Sequence, residues 1–364
     1  MDPFCPHLKE RNAMNSHDQK LISAQQLYKA KLIEQEQINT IEEISNHYSI
    51  ALTPFMANLI DPHNPNDPIA RQFIPQKEEM NILPEEREDP IGDSNHSPLK
   101  GIVHRYPDRV LLKLLHICPV YCRFCFRREM VGSQKGTILS PQDIDAALSY
   151  IQNHPKIWEV IFTGGDPLIL SLNRLKTVFK MLMEIKHVKI LRFHSRVPIV
   201  DPQRISPEFI QCLKESGKPI YIAIHANHPR EFSQESLSAI SKLADAGIIL
   251  LSQSVLLKGI NDDPKILADL MRIFVESRIK PYYLHHPDLA PGTSHFRLTI
   301  EEGQKIVASL KENISGICQP FYILDIPGGY GKVKIDSHNI KKIDDESYLI
   351  TDHNNIVHHY PPRS

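Results

Sequence analysis

VLLKLLHICPVYCRFCFRR, residues 110–128, runs from an apolar stretch straight into a loop carrying Cys118, Cys122 and Cys125. The first seven residues read as a buried strand, and the thiols follow it with C-x3-C-x2-C spacing. Three thiolates make an incomplete ligand set, because closed zinc sites and ordinary iron–sulfur clusters take four.

Outward from this stretch, short β-type runs alternate with amphipathic helical segments. The strand candidates are VLLKLLH (110–116), EVIFTGG (159–165), ILRFHSR (190–196), IYIAIHA (220–226), IILLSQSVLL (248–257) and KPYYLHH (280–286), with FYILDIP (321–327) after a last helical pattern. Helical patterns such as SPQDIDAALSYIQ and SQESLSAISKLADAG lie between them, the first capped by Ser140 and the second stopped at Gly247. Six consecutive β/α units predict an α/β fold with a parallel sheet covered by helices, either doubly wound or a partial barrel. Both arrangements bind ligands at the carboxyl ends of the strands. Polar residues cluster there: Gly164, Gly165 and Asp166, then His194, Ser195 and Arg196, then His225 and Asn227, then Gln253, then Asp288.

Composition narrows the function classes. With 42 Lys and Arg against 43 Asp and Glu, the formal charge is −1, which carries no signal for nucleic acid. Three of the six cysteines sit in one loop and the others, Cys5, Cys212 and Cys318, are scattered, so no disulfide framework is expected. No signal-peptide core and no apolar run long enough to span a bilayer is found, and a cytoplasmic chain without membrane contact is expected. Three regions are expected: 1–100, a helical extension with apolar spacing in LISAQQLYKAKLIEQ and a proline-rich connector over 61–101; 101–300, the β/α body; and 301–364, a C-terminal segment.

Two motifs carry chemistry. The cysteine loop is followed by Arg127 and Arg128 and suits either zinc with one remote ligand, a histidine or Cys318, or a cluster whose fourth iron is left open. The stretch LDIPGGYGKVKID, 324–336, offers main-chain N–H groups at Gly328, Gly329 and Gly331 to an anion, with Lys332 beside them. It lacks P-loop spacing, but a lysine beside an anion-binding turn suits attachment of pyridoxal phosphate.

The C-x3-C-x2-C loop after the first strand resembles the radical S-adenosylmethionine superfamily, and Thr163-Gly164-Gly165-Asp166 resembles its Gly-Gly-Glu element. More specifically, GIVHRYPDRVLLK, CPVYCRFCFRREMVG, FTGGDPL, HSRVPIVDPQRI, LSQSVLLKGINDD, DLAPGTSHFR and DIPGGYGK, in this order over roughly residues 60–335, resemble the lysine 2,3-aminomutase family. The resemblance implies a partial (βα)6 barrel, a [4Fe–4S] cluster on the three cysteines, S-adenosylmethionine and pyridoxal phosphate. Lys332 matches the lysine that forms the internal aldimine, and Arg105, Tyr106 and Arg109 match residues around pyridoxal phosphate. Gly164, Gly165, Asp166, Ser195, His225 and Gln253 fall where the superfamily contacts S-adenosylmethionine. The implied reaction starts with a 5′-deoxyadenosyl radical, which abstracts hydrogen from the substrate β-carbon so that the amino group migrates there. An outside electron donor and a homo-oligomer are implied as partners.

Arg127 matches the family's carboxylate-binding arginine, and Asp288 and Asp325 match the pair that holds the ε-ammonium of lysine. Relatives that supply β-lysine to elongation factor P lack the second aspartate, and glutamate-acting relatives lack the acidic pair, so lysine is the expected substrate. The clostridial zinc cysteines have no counterparts, Asp263 standing at one such place, and no structural zinc is expected. His285 and His286 depart from the clostridial version beside the substrate aspartate.

Overall fold

The computed structural model describes residues 19–132, 138–335, 340–344, 346–352 and 354–362, so Cys5 lies outside the described residues. Nine strands form one sheet in sequence order: β1 (Ile102–Tyr106), β2 (Arg109–Leu115), β3 (Glu159–Gly164), β4 (Ile190–Ser195), β5 (Ile220–Ile224), β6 (Ile249–Val255), β7 (Lys280–His285), β8 (Phe321–Ile326) and β9 (Gly331–Lys334). Strands β2 to β8 are parallel, while β1 and β9 pair antiparallel at the two edges. A doubly wound sheet reverses its strand order; this one does not, so the architecture is the partial barrel. Helices Pro141–Gln152, Leu172–Glu184, Pro207–Lys214, Gln234–Asp245, Pro264–Glu276 and Ile300–Asn313 follow the parallel strands β2 to β7 in turn. The sheet does not close by backbone pairing. Its seam is joined by a side chain, the Lys332 N–H donating to the Tyr106 hydroxyl at 2.9 Å.

Local chemistry starts each of these helices. Ser140, Ser171, Ser206, Ser233, Asp263 and Thr299 accept N–H groups of their first turns, and Pro141, Pro207 and Pro264 occupy first-turn positions where no N–H is missed. Asp263 caps the helix Pro264–Glu276 through its side chain. Along β4, Leu191 and Phe193 are buried outward while Ile190, Arg192 and His194 face the interior. Phe193 stacks on Phe162 at 4.4 Å, under Phe179 of the adjoining helix. The apolar layer therefore lies between sheet and helices, and the barrel interior holds a cavity of about 520 Å3. No helix among the described residues is long and apolar enough to cross a membrane.

The N-terminal region differs from its expectation. The spacing in LISAQQLYKAKLIEQ predicts one helix, but helix is formed only over Ala24–Lys29, and Lys31 takes a left-handed φ of 57°. Turning there sends Leu27 and Ile33 into the core, which one straight helix would not do. The connector likewise does more than cross a surface. Its Glu79 is buried and accepts from Arg123 Nε at 3.0 Å and Nη2 at 2.6 Å, and it also pairs with Arg128. Both arginines belong to the cysteine loop, which is thus tied down from a distant part of the chain. Removing this carboxylate in Glu79→Ala leaves two buried guanidinium groups without their anion, a loss of about 3–5 kcal/mol. Denaturant unfolding measures it, and a loss below about 1 kcal/mol, the worth of an exposed pair, contradicts the assignment.

A second sheet, β10 (Ile340–Lys342), β11 (Tyr348–Thr351) and β12 (Val357–Tyr360), is antiparallel and was not legible in the sequence. Tyr360 carries it onto the barrel, its ring 6.2 Å from that of His286.

Candidate active site

The thiols of Cys118, Cys122 and Cys125 are free and line one cavity of about 150 Å3 at the carboxyl end of the barrel. No group of three or more His, Cys, Asp or Glu side chains among the described residues is arranged around a single metal ion. Cys318 precedes β8 and lies at the amino ends of the strands, so it is not a remote fourth ligand. Burial pushes all three thiols above their ordinary range, Cys125 to about 11. A bound metal reverses that tendency, since a coordinated thiol is deprotonated outright.

The loop is shaped by the end of β3. Gly165 N–H donates to Leu115 at 2.7 Å and Asp166 N–H to Ile117 at 2.9 Å, and a Cβ on Gly165 would stand 2.2 Å from the Ile117 carbonyl oxygen. The glycine is needed for close approach to the cysteine loop itself, whereas sequence reasoning assigned it to a ligand. Asp166 turns inward and accepts from Ser195 Oγ at 2.7 Å and from the Arg196 N–H at 2.7 Å. Burial pushes its carboxyl up to about 6 despite these bonds. Asp166 and Ser195 are therefore engaged with each other while both line the thiol cavity.

The larger cavity shares Arg127, Thr163, His194, His225, Gln253 and His285 with the thiol cavity. Burial drives the His225 ring down to about 3, so it is neutral at physiological pH. Lys332 on β9 stands in register with Asp325 on β8, and its ammonium is ion-paired to that carboxylate. Arg105 lies 3.6 Å from the other oxygen of Asp325, and His285 Nδ1 lies 3.6 Å from the one that Lys332 holds. Burial works against the Asp325 anion, but the Lys332 charge and the His285 ring hold its carboxyl well below the usual range. Asp288, just past β7, is pushed the other way, to about 8, by burial and by the Asp325 charge. One oxygen of each carboxylate is buried without a hydrogen-bond partner.

Arg127 is held differently from expectation. Its Nη2 and Nε bond Asp93 at 2.9 and 3.2 Å, leaving Nη1 with only a 3.4 Å contact to Thr163 Oγ1. Asp93 also draws in Arg105 at 3.4 Å and Lys113 at 3.8 Å, so three cations converge on one buried anion. Asp93, in the connector, belongs to no motif, and Lys113, the last residue of GIVHRYPDRVLLK, was read only as part of a strand. Only an excess of buried cations at the first strands would have signalled them.

Arg105, Tyr106 and Arg109 line the same cavity as Lys332, with Arg109 stacked 3.8 Å over the Tyr106 ring. Gly328, Gly329 and Gly331 immediately precede Lys332. Their φ values of 91°, 96° and 94° form the β8–β9 turn, which is docked on the connector: a Cβ on Gly92 would meet the Gly328 carbonyl carbon at 2.5 Å, and His96 Nε2 lies 3.0 Å from the Gly329 oxygen. Of the two histidines, His285 lines both cavities, whereas His286 bonds the Tyr322 hydroxyl at 2.8 Å and belongs to the core.

Comparison with known proteins accords with this arrangement. Residues 112–271 match the Radical SAM superfamily. The chain is 43% identical over 286 residues to an L-lysine 2,3-aminomutase of Acetoanaerobium sticklandii, covering 79% of this chain and 69% of that one. It is 39% identical over 316 residues to an L-lysine 2,3-aminomutase of Clostridium subterminale, covering 87% and 76%. A glutamate 2,3-aminomutase of Clostridioides difficile is 37% identical over 295 residues, covering 81% and 69%. A partial barrel with three thiols at its mouth, an interior cavity and this co-linear similarity together establish that the chain belongs to the lysine 2,3-aminomutase family of radical S-adenosylmethionine isomerases.

Proposed function

We propose that the chain is a pyridoxal-phosphate-dependent lysine 2,3-aminomutase, converting L-lysine to β-lysine. The observation that carries the substrate is the buried carboxylate pair Asp288 and Asp325, in which Asp325 is held by Lys332 and Arg105 while Asp288 keeps a buried oxygen with no hydrogen-bond partner. Once ionised beside Asp325, Asp288 is costly without a cation against it, and the ε-ammonium of lysine would supply one. A glutamate substrate would bring a third carboxylate to the same place.

The residues fit the family's cofactors. Cys118, Cys122 and Cys125 would hold a [4Fe–4S] cluster with one iron left for S-adenosylmethionine, near Gly164, Gly165, His225 and Gln253. Lys332 would carry pyridoxal phosphate, with Arg105, Tyr106 and Arg109 about its anionic end. The cluster and S-adenosylmethionine supply the radical when bound, and pyridoxal phosphate supplies a π-system on which an unpaired electron is stabilised. What the chain's own residues do is separate. Arg127 Nη1 is available for the substrate carboxylate, Asp93 holds that guanidinium in place, and the barrel wall excludes water from the reacting carbon. Anaerobic reconstitution with iron, sulfide and pyridoxal phosphate, then incubation with reductant, S-adenosylmethionine and a panel of amino acids, tests the reading by NMR. β-Lysine from lysine is expected. Product from another amino acid and none from lysine overturns the substrate.

Asp288 adds a pH signature. Its carboxyl titrates near 8 in the free site, so at pH 7 it is largely protonated, and binding an ammonium there releases a proton. Lysine affinity should rise as pH increases toward about 8, by up to tenfold per unit, and level off above it. Calorimetry in buffers of different ionisation enthalpy measures the proton released. Proton uptake, or no exchange at pH 7, contradicts the assignment.

A further inference from the structure

We propose that Arg196 sets the reduction potential of the cluster by donating a fixed, charged hydrogen bond to the sulfur of Cys122. The inference rests on the reading of the three thiols as the ligands of a [4Fe–4S] cluster. Arg196 is one of the polar residues at the strand ends, and its guanidinium is committed to partners within the protein. Nη1 donates to Cys122 Sγ at 3.0 Å, and Nη2 donates to Gln72 Oε1 at 2.5 Å and to Glu231 Oε2 at 2.6 Å.

The anchor behind it is rigid. Glu231 has no exposed surface, and its Oε1 accepts the N–H groups of Asn227 at 2.8 Å and His228 at 2.9 Å together with Gln72 Nε2 at 3.0 Å. Gln72 Oε1 takes a further bond from Asn227 Nδ2 at 3.1 Å. The guanidinium carbon lies 4.8 Å from the Phe73 ring centre and 5.6 Å from that of Phe124. At its base, the Arg196 N–H is bonded to Asp166, which belongs to the same β3 end that shapes the cysteine loop. Main chain, side chain and ring contacts therefore leave the guanidinium one orientation, toward the sulfur.

The consequence is electrostatic. Cluster reduction takes one electron from an outside low-potential donor, and the added negative charge spreads onto the sulfurs. A hydrogen bond to a ligand sulfur is stronger when that sulfur is more negative, so it stabilises the reduced form more and raises the potential. Glu231 opposes this, because its carboxylate offsets part of the guanidinium charge in a site with little water. The two residues therefore act with opposite sign, which a merely structural pair would not do.

The test is an EPR-monitored potentiometric titration of the reconstituted full chain, with dithionite as the donor and iron, sulfide and thermal unfolding measured on each variant. Arg196→Gln should lower the midpoint by about 59 mV or more, a tenfold change for a one-electron couple. Glu231→Gln should raise it. An unchanged midpoint in Arg196→Gln, or shifts of the same sign in both variants, overturns the proposal. If Arg196→Gln does not hold a cluster, Glu231→Gln decides alone, and a midpoint that stays or falls overturns it. A wild-type chain that binds no [4Fe–4S] cluster overturns the ligand reading instead.

Discussion

Lys332→Ala is expected to abolish formation of β-lysine, by about 1000-fold or more, while leaving iron and sulfide content unchanged. Among the residues lining the larger cavity, Lys332 is the one lysine, so no neighbouring amine can take its place. Its backbone is fixed by the bond from its N–H to Tyr106 at 2.9 Å and by pairing with Asp325 across β8 and β9. A primary amine on a strand edge is held more accurately than one on a loop, and accuracy matters because a small misplacement of reacting groups costs orders of magnitude. Borohydride reduction of the pyridoxal-phosphate-loaded protein followed by peptide mass spectrometry provides a second readout. Label on Lys332 in the wild type and none in the variant is expected. Label on another lysine, or activity within about tenfold of wild type, removes Lys332 from the chemistry.

Asp288→Asn should lower kcat/KM for lysine by about 30- to 1000-fold, mostly through KM, corresponding to about 2–4 kcal/mol for loss of one partner of a buried charge pair. The free protein should be no less stable, because at pH 7 a neutral amide replaces a carboxyl that is already largely protonated. The pH dependence of lysine binding between about 6 and 8 should vanish with it. Asp325→Asn should cost at least as much activity, but it also strips Lys332, Arg105 and His285 of their shared anion, so its stability should fall. Steady-state kinetics with thermal unfolding separate the two. If Asp288→Asn keeps wild-type KM, the ammonium is not held there.

Much of the fold was legible because parallel strands buried under helices read as continuous apolar runs. All seven predicted strands are present with ends shifted by at most two residues. The edges β1 and β9 and the C-terminal sheet were missed, since short antiparallel strands rich in glycine and charge look like loops. The helix over LISAQQLYKAKLIEQ was overread because the periodic apolar residues serve a bent segment, in which Lys31 turns left-handed.

At the site, the thiol loop and Lys332 were legible because their chemistry is local, carried by residue types at short spacing. Asp93, Glu79 and Glu231 were not. They act across 34, 44 and 35 residues on Arg127, Arg123 and Arg196, and nothing near them in the chain marks them as partners. The glycines of the β3 end and the β8–β9 turn stand at close-approach positions, Gly165 against the Ile117 backbone and Gly329 and Gly331 against the His96 and Tyr106 side chains, neighbours far off in the chain.

By itself the sequence determined the α/β order, the three-thiol loop after the first parallel strand and the lysine beside the glycine-rich turn, because burial periodicity and motif spacing are written locally. Only the tertiary structure decided which charges are compensated. It gave Asp325 to Lys332 and Arg105 while leaving Asp288 a buried oxygen without a hydrogen bond, tied Arg127 to Asp93 and aimed Arg196 at Cys122. The physical reason is desolvation: a charge is costly or useful only in relation to what is buried beside it, and folding alone brings those neighbours together.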